Sequence, residues 1–338
     1  MTTLPRVVAL GGGHGLSATL QALRSVTPKL TAVVTVADDG GSSGRIRREL
    51  DQVPPGDLRM ALCALAQDPG AAEGAGSALS GVDARSTVDA ASGVDWVPLL
   101  QHRFGGSGAL AGHAVGNLLI SGLVDQGYDV VHALDLVAGL VRARGRVLPM
   151  SPQPVDLTAE VVGLDPDDPY GVTTIRGQVA VATTPGRVVA VHLTPQNPPA
   201  TREALEAIRE ADYVVLGPGS WFTSVIPNLL VPELGEAIRT TAATRVLVLN
   251  LGPQPGETEG FSAEQHVEAL LSHAPHLPLD VVLADKSAAV PAAQLRRSVE
   301  DYGGRLYLDL VARHGDPQRH DPQRLATALR VVMGLPAA

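Results

Sequence analysis

Short apolar runs recur along the chain, with amphipathic stretches between them. Six of the runs, Val7–Leu10, Ala32–Ala37, Tyr213–Gly217, Arg245–Leu251, Asp280–Ala284 and Arg305–Leu310, are continuous rather than alternating. A strand with one wet face alternates with a period of two. A strand covered on both faces does not, so these runs predict a parallel sheet between helices. Helical spacing predicts Ser17–Val26, Asp57–Gln67, Val115–Gln126, Arg202–Ala211, Ala263–His273 and Pro322–Met333. Two of these carry start signals. Ser262 with Gln265 reads as a capping box, and Asp321 before Pro322 as an N-cap with proline in the first turn. Strand and helix in alternation predict an α/β, doubly wound, mostly parallel sheet.

Two regions break this rhythm. From Gly70 to Gly93 the chain is mostly Ala, Gly, Ser, Asp and Val, which predicts a mobile surface insert without site chemistry. From Pro154 to Thr194 it turns β-rich, with turn residues at Asp165–Asp168 and at Pro185-Gly186. That texture predicts a small antiparallel subdomain inserted into the core. The expected organisation is a nucleotide-binding half over residues 1–150, the β-rich subdomain over 151–195, and a second α/β half over 196–338.

Composition narrows the class. The chain has 338 residues, 45% of them hydrophobic but only 3% aromatic, so its core must be built from aliphatic side chains. A single cysteine, Cys63, allows no intrachain disulfide and suits a reducing compartment. Met1 to Pro5 lead straight into a strand without signal-peptide features, and no apolar run is long enough to span a membrane. A cytoplasmic location is expected. With a net charge of −9 and no basic stripe interleaved with aromatics, nucleic acid is not an expected partner.

The chemistry concentrates in glycine turns at strand ends. "VVALGGGHGLSATL" leaves the first strand through Gly11, Gly12, Gly13, His14 and Gly15. Gly13-x-Gly15-x-x-Ala18 fits the dinucleotide fingerprint of a Rossmann-like unit, and Asp38 falls where a ribose-binding acid is expected. The helix that follows aims its first N–H groups at an anion. A ligand-free strand-to-helix turn would look the same. The second strand ends in "VADDGGSSGRIRREL", where Asp38 and Asp39 precede Gly40, Gly41, Ser42, Ser43 and Gly44. Backbone amides and two hydroxyls there can cup a phosphate, with Arg45 and Arg47 close in sequence. Two adjacent acids can hold Mg²⁺ or accept hydrogen bonds from sugar hydroxyls. The plainer reading is a capped turn.

Other groups are expected around the same crevice. Asp57 in "PPGDLR" is either an N-cap or a ligand contact. His113 and Asn117 share a helix face, which suits hydrogen bonds to ligand or a neighbouring loop better than zinc. Arg142, Arg144 and Arg146 form a basic cluster. Gly217, Pro218, Gly219 and Ser220 make a third strand-end turn, followed by Trp221 and Phe222, which either stack on a base or, as suits a chain with so few aromatics, pack beneath a helix. Asn250, Gln254 and Glu257 follow the next strand and supply the donors and acceptors a uracil needs. Arg319 and His320 are further possible contacts. No catalytic set and no metal site are assignable.

The blocks "GGGHGLSATL", "TAVVTVADDGGSSGRIRREL", "VPPGDLRMAL", "GHAVGNLLISGL", "RGRVLPM", "VVLGPGSWFTSVIPNLLVP" and "QPGETEGFSAEQH" resemble, in order, those of the gluconeogenesis factor family, in a form similar to actinobacterial members. These are CofD-like relatives of 2-phospho-L-lactate transferase. The resemblance runs from about Arg6 to His273 and more weakly to "RHDPQRLATAL"; His14 replaces the Thr common there. It implies a Rossmann-like cytoplasmic protein that binds UDP-sugars such as UDP-glucose and UDP-N-acetylglucosamine. It also implies a regulator tied to growth on gluconeogenic carbon, cell shape and cell-wall precursor supply. An amino-sugar biosynthesis enzyme, glutamine:fructose-6-phosphate aminotransferase, is the partner it suggests. A homodimer is expected from the prevalence of symmetric pairs. Two alternatives stand beside this regulator: a Mg²⁺-dependent transferase using Asp38 and Asp39, and an NAD-dependent dehydrogenase.

Overall fold

The computed structural model describes residues 4–66, 95–254, 257–289 and 291–336. The expected insert at Gly70–Gly93 lies outside them. In chain order the first half comprises β1 (Val7–Gly11), α1 (Gly13–Arg24), β2 (Leu30–Val34), α2 (Gly41–Leu50), α3 (Gly56–Ala66), α4 (Trp96–Gln101), α5 (Val115–Asp125), α6 (Val130–Leu140) and β3 (Arg146–Pro149). Then come β4 (Asp156–Val162), β5 (Val172–Arg176), α7 (Gln178–Ala182) and β6 (Arg187–Thr194). The remainder comprises α8 (Arg202–Glu210), β7 (Tyr213–Leu216), a π-helical turn (Trp221–Val225), α9 (Ile226–Leu230), α10 (Pro232–Thr240) and β8 (Thr244–Val248). It closes with α11 (Ala263–His273), β9 (Val281–Asp285), α12 (Ala292–Asp301), β10 (Arg305–Asp309), β11 (Ala312–Arg313), β12 (Asp316–His320) and α13 (Pro322–Val332).

Seven strands form one sheet in the order β10-β9-β8-β7-β1-β2-β3, every pairing parallel. The strands are continuously apolar because helices cover both faces; every residue of β1 and β9 is buried. Strand order reverses between β1 and β7, which is where doubly wound sheets open a crevice beyond their carboxyl ends. The core is aliphatic around one large aromatic pair, Trp221 and Phe222, both buried beneath the π-helical turn as expected.

The expected strands and helices appear with shifted ends, and three differences have physical reasons. α1 begins at Gly13 rather than Ser17, and α2 at Gly41, so the Gly40–Gly44 nest is the first turn of a helix. Strand β3 is missed because it is four residues long and begins at Arg146, whose side chain pairs with Asp135 of α6 at 2.7 Å. The basic cluster is therefore partly an edge strand. The capping box at Ser262 and the Asp321 cap are both present.

The β-rich insert is a three-stranded antiparallel sheet, β5-β4-β6. Three ties hold it to the core. Asp156 pairs with Arg47 of α2 as well as with Arg176 of β5. Val191 N donates to His273 Nε2 of α11 at 3.1 Å, and Val179 N of α7 donates to Asp39 Oδ1 at 3.0 Å.

Candidate functional site: a crevice between three strand-end turns

The turns after β1, β2 and β7 meet. Gly15 lies so close to the third turn that a Cβ there would stand 2.3 Å from the Pro218 carbonyl oxygen. Thr19 of α1 donates to the Gly217 carbonyl at 3.2 Å. Gly12 is enclosed by Asp57, Thr35 and Ser224; a Cβ would come within 2.5 Å of Asp57 Oδ2. These two glycines are thus accounted for by close approach of protein neighbours. Gly13 is different. Its φ of +57° is left-handed, and nothing stands within 4 Å of where a side chain would begin.

Helices α1 and α2 both start without a side-chain cap. Their first-turn amides are the groups a helix leaves without carbonyl partners, and they carry the positive end of its dipole. A pair of carboxylates joins the two starts. Asp57, in the first turn of α3, accepts the Gly13 N–H. Asp38 accepts the Gly40 N–H at 2.9 Å and a hydrogen bond from Ser43. Burial, reinforced by the charge of Asp38, pushes Asp57 up to about 7 despite the Gly13 N–H and nearby Arg59. Burial also raises Asp38, against the pull of Gly40 and Ser43. The space between the loops therefore contains two interacting acids, with the open side over Gly13, exposed His14 and Gly41.

Asp39 is turned away from this pair. It accepts the Val179 N–H at the start of α7, and a Cβ on Gly177 would come within 2.2 Å of its Oδ2. The expected Asp38–Asp39 pair is therefore split between two bonds, Asp38 to the Gly40 N–H and Asp39 to the Val179 N–H, and Asp57 adds an acid whose pKa the charge of Asp38 raises. Thr35 adds a buried hydroxyl without a hydrogen-bond partner beside Gly12. Carboxylate and hydroxyl oxygens are the donor type a hard cation such as Mg²⁺ takes. Among the described residues no group of three His, Cys, Asp or Glu side chains forms a metal cluster.

Several expected contacts brace the crevice from behind. Asn117 Nδ2 donates to Ser42 Oγ at 2.9 Å, and Ser42 Oγ meets His113 Nδ1 at 3.0 Å. Burial and neighbouring Arg45 lower the pKa of the His113 ring. His113 and Asn117 thus hold the start of α2. Asn250 holds the third turn through both ends of its amide to Gly219. Ser220 caps the π-helical turn through Thr223 N and bonds Glu257, which also accepts the Phe222 and Thr223 amides. Burial raises Glu257 to about 7 against those bonds. Gln254 donates its N–H to Thr258 at 2.8 Å, and its Oε1 is buried without a partner.

Sequence reasoning passes over Thr35, Gly56 and Ser224, because a lone Thr, Gly or Ser carries no motif. Gly56 is needed bare: a Cβ would meet Ser43 Oγ at 2.3 Å and Asp38 Oδ2 at 3.0 Å. His320 is bonded to the Leu249 carbonyl beyond β8, and burial lowers it to about 4. Its Nε2 has no partner.

Comparison with known proteins places this geometry. Residues 7–326 match the family described as 2-phospho-L-lactate transferase CofD. A putative gluconeogenesis factor of Mycobacterium tuberculosis is 53% identical over 327 residues, spanning 96% of this chain and 89% of the relative. The gluconeogenesis factor of Listeria monocytogenes is 34% identical over 343 residues, spanning 98% and 96%. The crystal structure of a UPF0052 family member from Bacillus halodurans superposes with a TM-score of 0.78 at 33% identity, covering 97% of this chain and 99% of that one. No helix among the described residues is long and apolar enough to cross a membrane. With matching fold, near-complete coverage and relatives of common name, the chain belongs to the CofD family and stands among its gluconeogenesis factors.

Proposed function

We propose that the crevice binds the diphosphate of a UDP-sugar, such as UDP-glucose or UDP-N-acetylglucosamine, and that the protein is a cytoplasmic regulator rather than a catalyst. One observation carries this reading. The starts of α1 and α2, whose N-cap residues are glycines without side-chain caps, lie beside Asp57 and Asp38 at the switch point of the sheet, with open space over the Gly13 and Gly41 Cα positions. Backbone amides of this kind suit phosphate oxygens. The ligand-bound state would alter contact with an enzyme of amino-sugar supply, glutamine:fructose-6-phosphate aminotransferase, and so serve growth on gluconeogenic carbon, cell shape and wall precursor supply. Calorimetric titration with UDP-N-acetylglucosamine tests it: heat that UDP competes away is expected, and no heat with no competition removes the idea.

A second reading, a Mg²⁺-dependent transferase on a nucleoside-diphosphate substrate, is favoured by the Asp38–Asp57 pair and by the transferase description of the family. In it the two carboxylates and Thr35 would hold the metal, which would supply charge neutralisation at the phosphates. Asp57 would keep the Gly13 amide oriented. Release of UMP or UDP on incubation, lost in Asp57→Asn, is the result that would move the assignment to this branch.

A further inference from the structure

Arg59 lies in the first turns of α3, two residues beyond Asp57, and is only 5% exposed. A charge this deep is normally surrounded by acceptors. Arg245 shows the ordinary arrangement at 7% exposure: its three guanidinium nitrogens donate to the carbonyls of Ile238, Ala243, Arg239 and Thr241, and Asp280 pairs with it at 3.1 Å. At Arg59, by contrast, Nε and NH1 are both buried without a hydrogen-bond partner. Its stem rests on α5, where a Cβ on Gly116 would stand 2.9 Å from the arginine Cγ and Cδ.

The surroundings leave this charge uncompensated. Burial lowers the guanidinium pKa and neighbouring Arg103 adds to this, while Cys63, Asp57 and Asp38 oppose without cancelling. Arg103 donates through NH1 to the Gly112 carbonyl at 2.9 Å, and its charge also reaches Asp38. Two guanidinium groups therefore approach each other beside the acids of the crevice, and like charges at short range repel unless an anion joins them. The arginines expected to neutralise a phosphate are engaged elsewhere. Arg45 donates to the Ala111 and Ala109 carbonyls at 2.6 and 3.3 Å, and Arg47 pairs with Asp156.

We infer that Arg59 is the cationic contact for a phosphate group in the crevice, in the role expected of Arg45 and Arg47. The inference rests on the reading of the crevice as a phosphate site and adds the residue that supplies the charge. A guanidinium fork matches two phosphate oxygens, and such an anion brings the acceptors that Nε and NH1 lack. The backbone amides at the starts of α1 and α2 give direction to the phosphate; Arg59 gives it a counter-charge.

Calorimetric titration of the full chain and of Arg59→Met and Arg59→Lys, with UDP-N-acetylglucosamine, UDP and inorganic pyrophosphate, tests this. Arg59→Met should weaken all three by about 10- to 100-fold, the loss of one charged hydrogen-bonding group. Arg59→Lys keeps the charge without the fork and should lose less. Without ligand, Arg59→Met should unfold in urea no earlier than the parent, because it removes a buried charge that has no partner. Equal binding by Arg59→Met overturns the inference and leaves the UDP-sugar reading standing. An Arg59→Lys chain that binds no better than Arg59→Met also overturns it, as does an Arg59→Met chain that unfolds earlier, which would make the residue a brace of the fold. Pyrophosphate binding that depends on Arg59, without UDP-sugar binding, upholds the contact and removes the UDP-sugar reading. A parent chain that binds none of the three overturns both.

Discussion

Asn250 grips Gly219 from both sides: its Oδ1 accepts the glycine N–H at 2.9 Å and its Nδ2 donates to the glycine carbonyl at 2.8 Å. The turn after β7 is thereby fixed by a side chain from the end of β8, one strand away. Asn250→Asp keeps the acceptor but sets a carboxylate oxygen against the carbonyl. It should cost about 1–3 kcal/mol in urea unfolding and weaken UDP-sugar binding. Equal binding by the variant would detach this turn from the ligand.

Gly15 and Gly13 separate packing from access. Gly15→Ala drives a methyl into the Pro218 carbonyl and should destabilise the fold by about 1–3 kcal/mol, beyond any gain in helix propensity. Gly13→Ala meets no atoms and pays only for its left-handed φ, about 1–2 kcal/mol. Its methyl stands in the open space over the turn, so its larger effect should be on titrated affinity. The two variants measured side by side, by denaturation and calorimetry, should rank in opposite orders.

Asp57 sets a pH dependence. Its folded pKa of about 7 lies above the ordinary 3.8, so the folded state holds this proton more tightly than the unfolded chain. The contribution to stability is full below about pH 4 and is lost as pH rises toward 7. Asp57→Asn keeps an acceptor for Gly13 without the charge. Its stability relative to the parent should rise between pH 5 and pH 8, by about 3 kcal/mol. Urea midpoints at a series of pH values check this; parallel curves would contradict it.

His273 works in the other direction. Its Nε2 accepts the Val191 N–H while Nδ1 contacts the Ala269 carbonyl, an arrangement only the neutral ring allows. Burial lowers its pKa below 6.5, and nearby His192 adds to this. The tie is therefore present above pH 6.5 and is lost as pH falls through the lowered value. Hydrogen exchange at Val191, corrected for the intrinsic pH effect, should accelerate on acidification while exchange in β1 does not.

The sheet and the three turns are legible in the sequence because continuous apolar runs and glycine clusters are local signals. The capping box at Ser262 is local too. Strand β3 is hidden because arginine occupies its first position and proline its last. The pairing of Asp38 with Asp57 is hidden for another reason: adjacency in sequence favours Asp39, whereas the partner is set by how α3 packs on α1. The double bond of Asn250 to Gly219 depends on β8 lying beside β7, which no local pattern records.

Asp38 and Asp39 are consecutive, yet one is bonded at the crevice and the other anchors the first turn of α7. Their Cα atoms cannot separate beyond about 3.8 Å. The backbone of the second turn is thereby tied directly to α7, in the same insert as the β4–β5 turn, where Tyr170 is 90% exposed. On the UDP-sugar reading, that tie would couple the insert to whatever occupies the crevice.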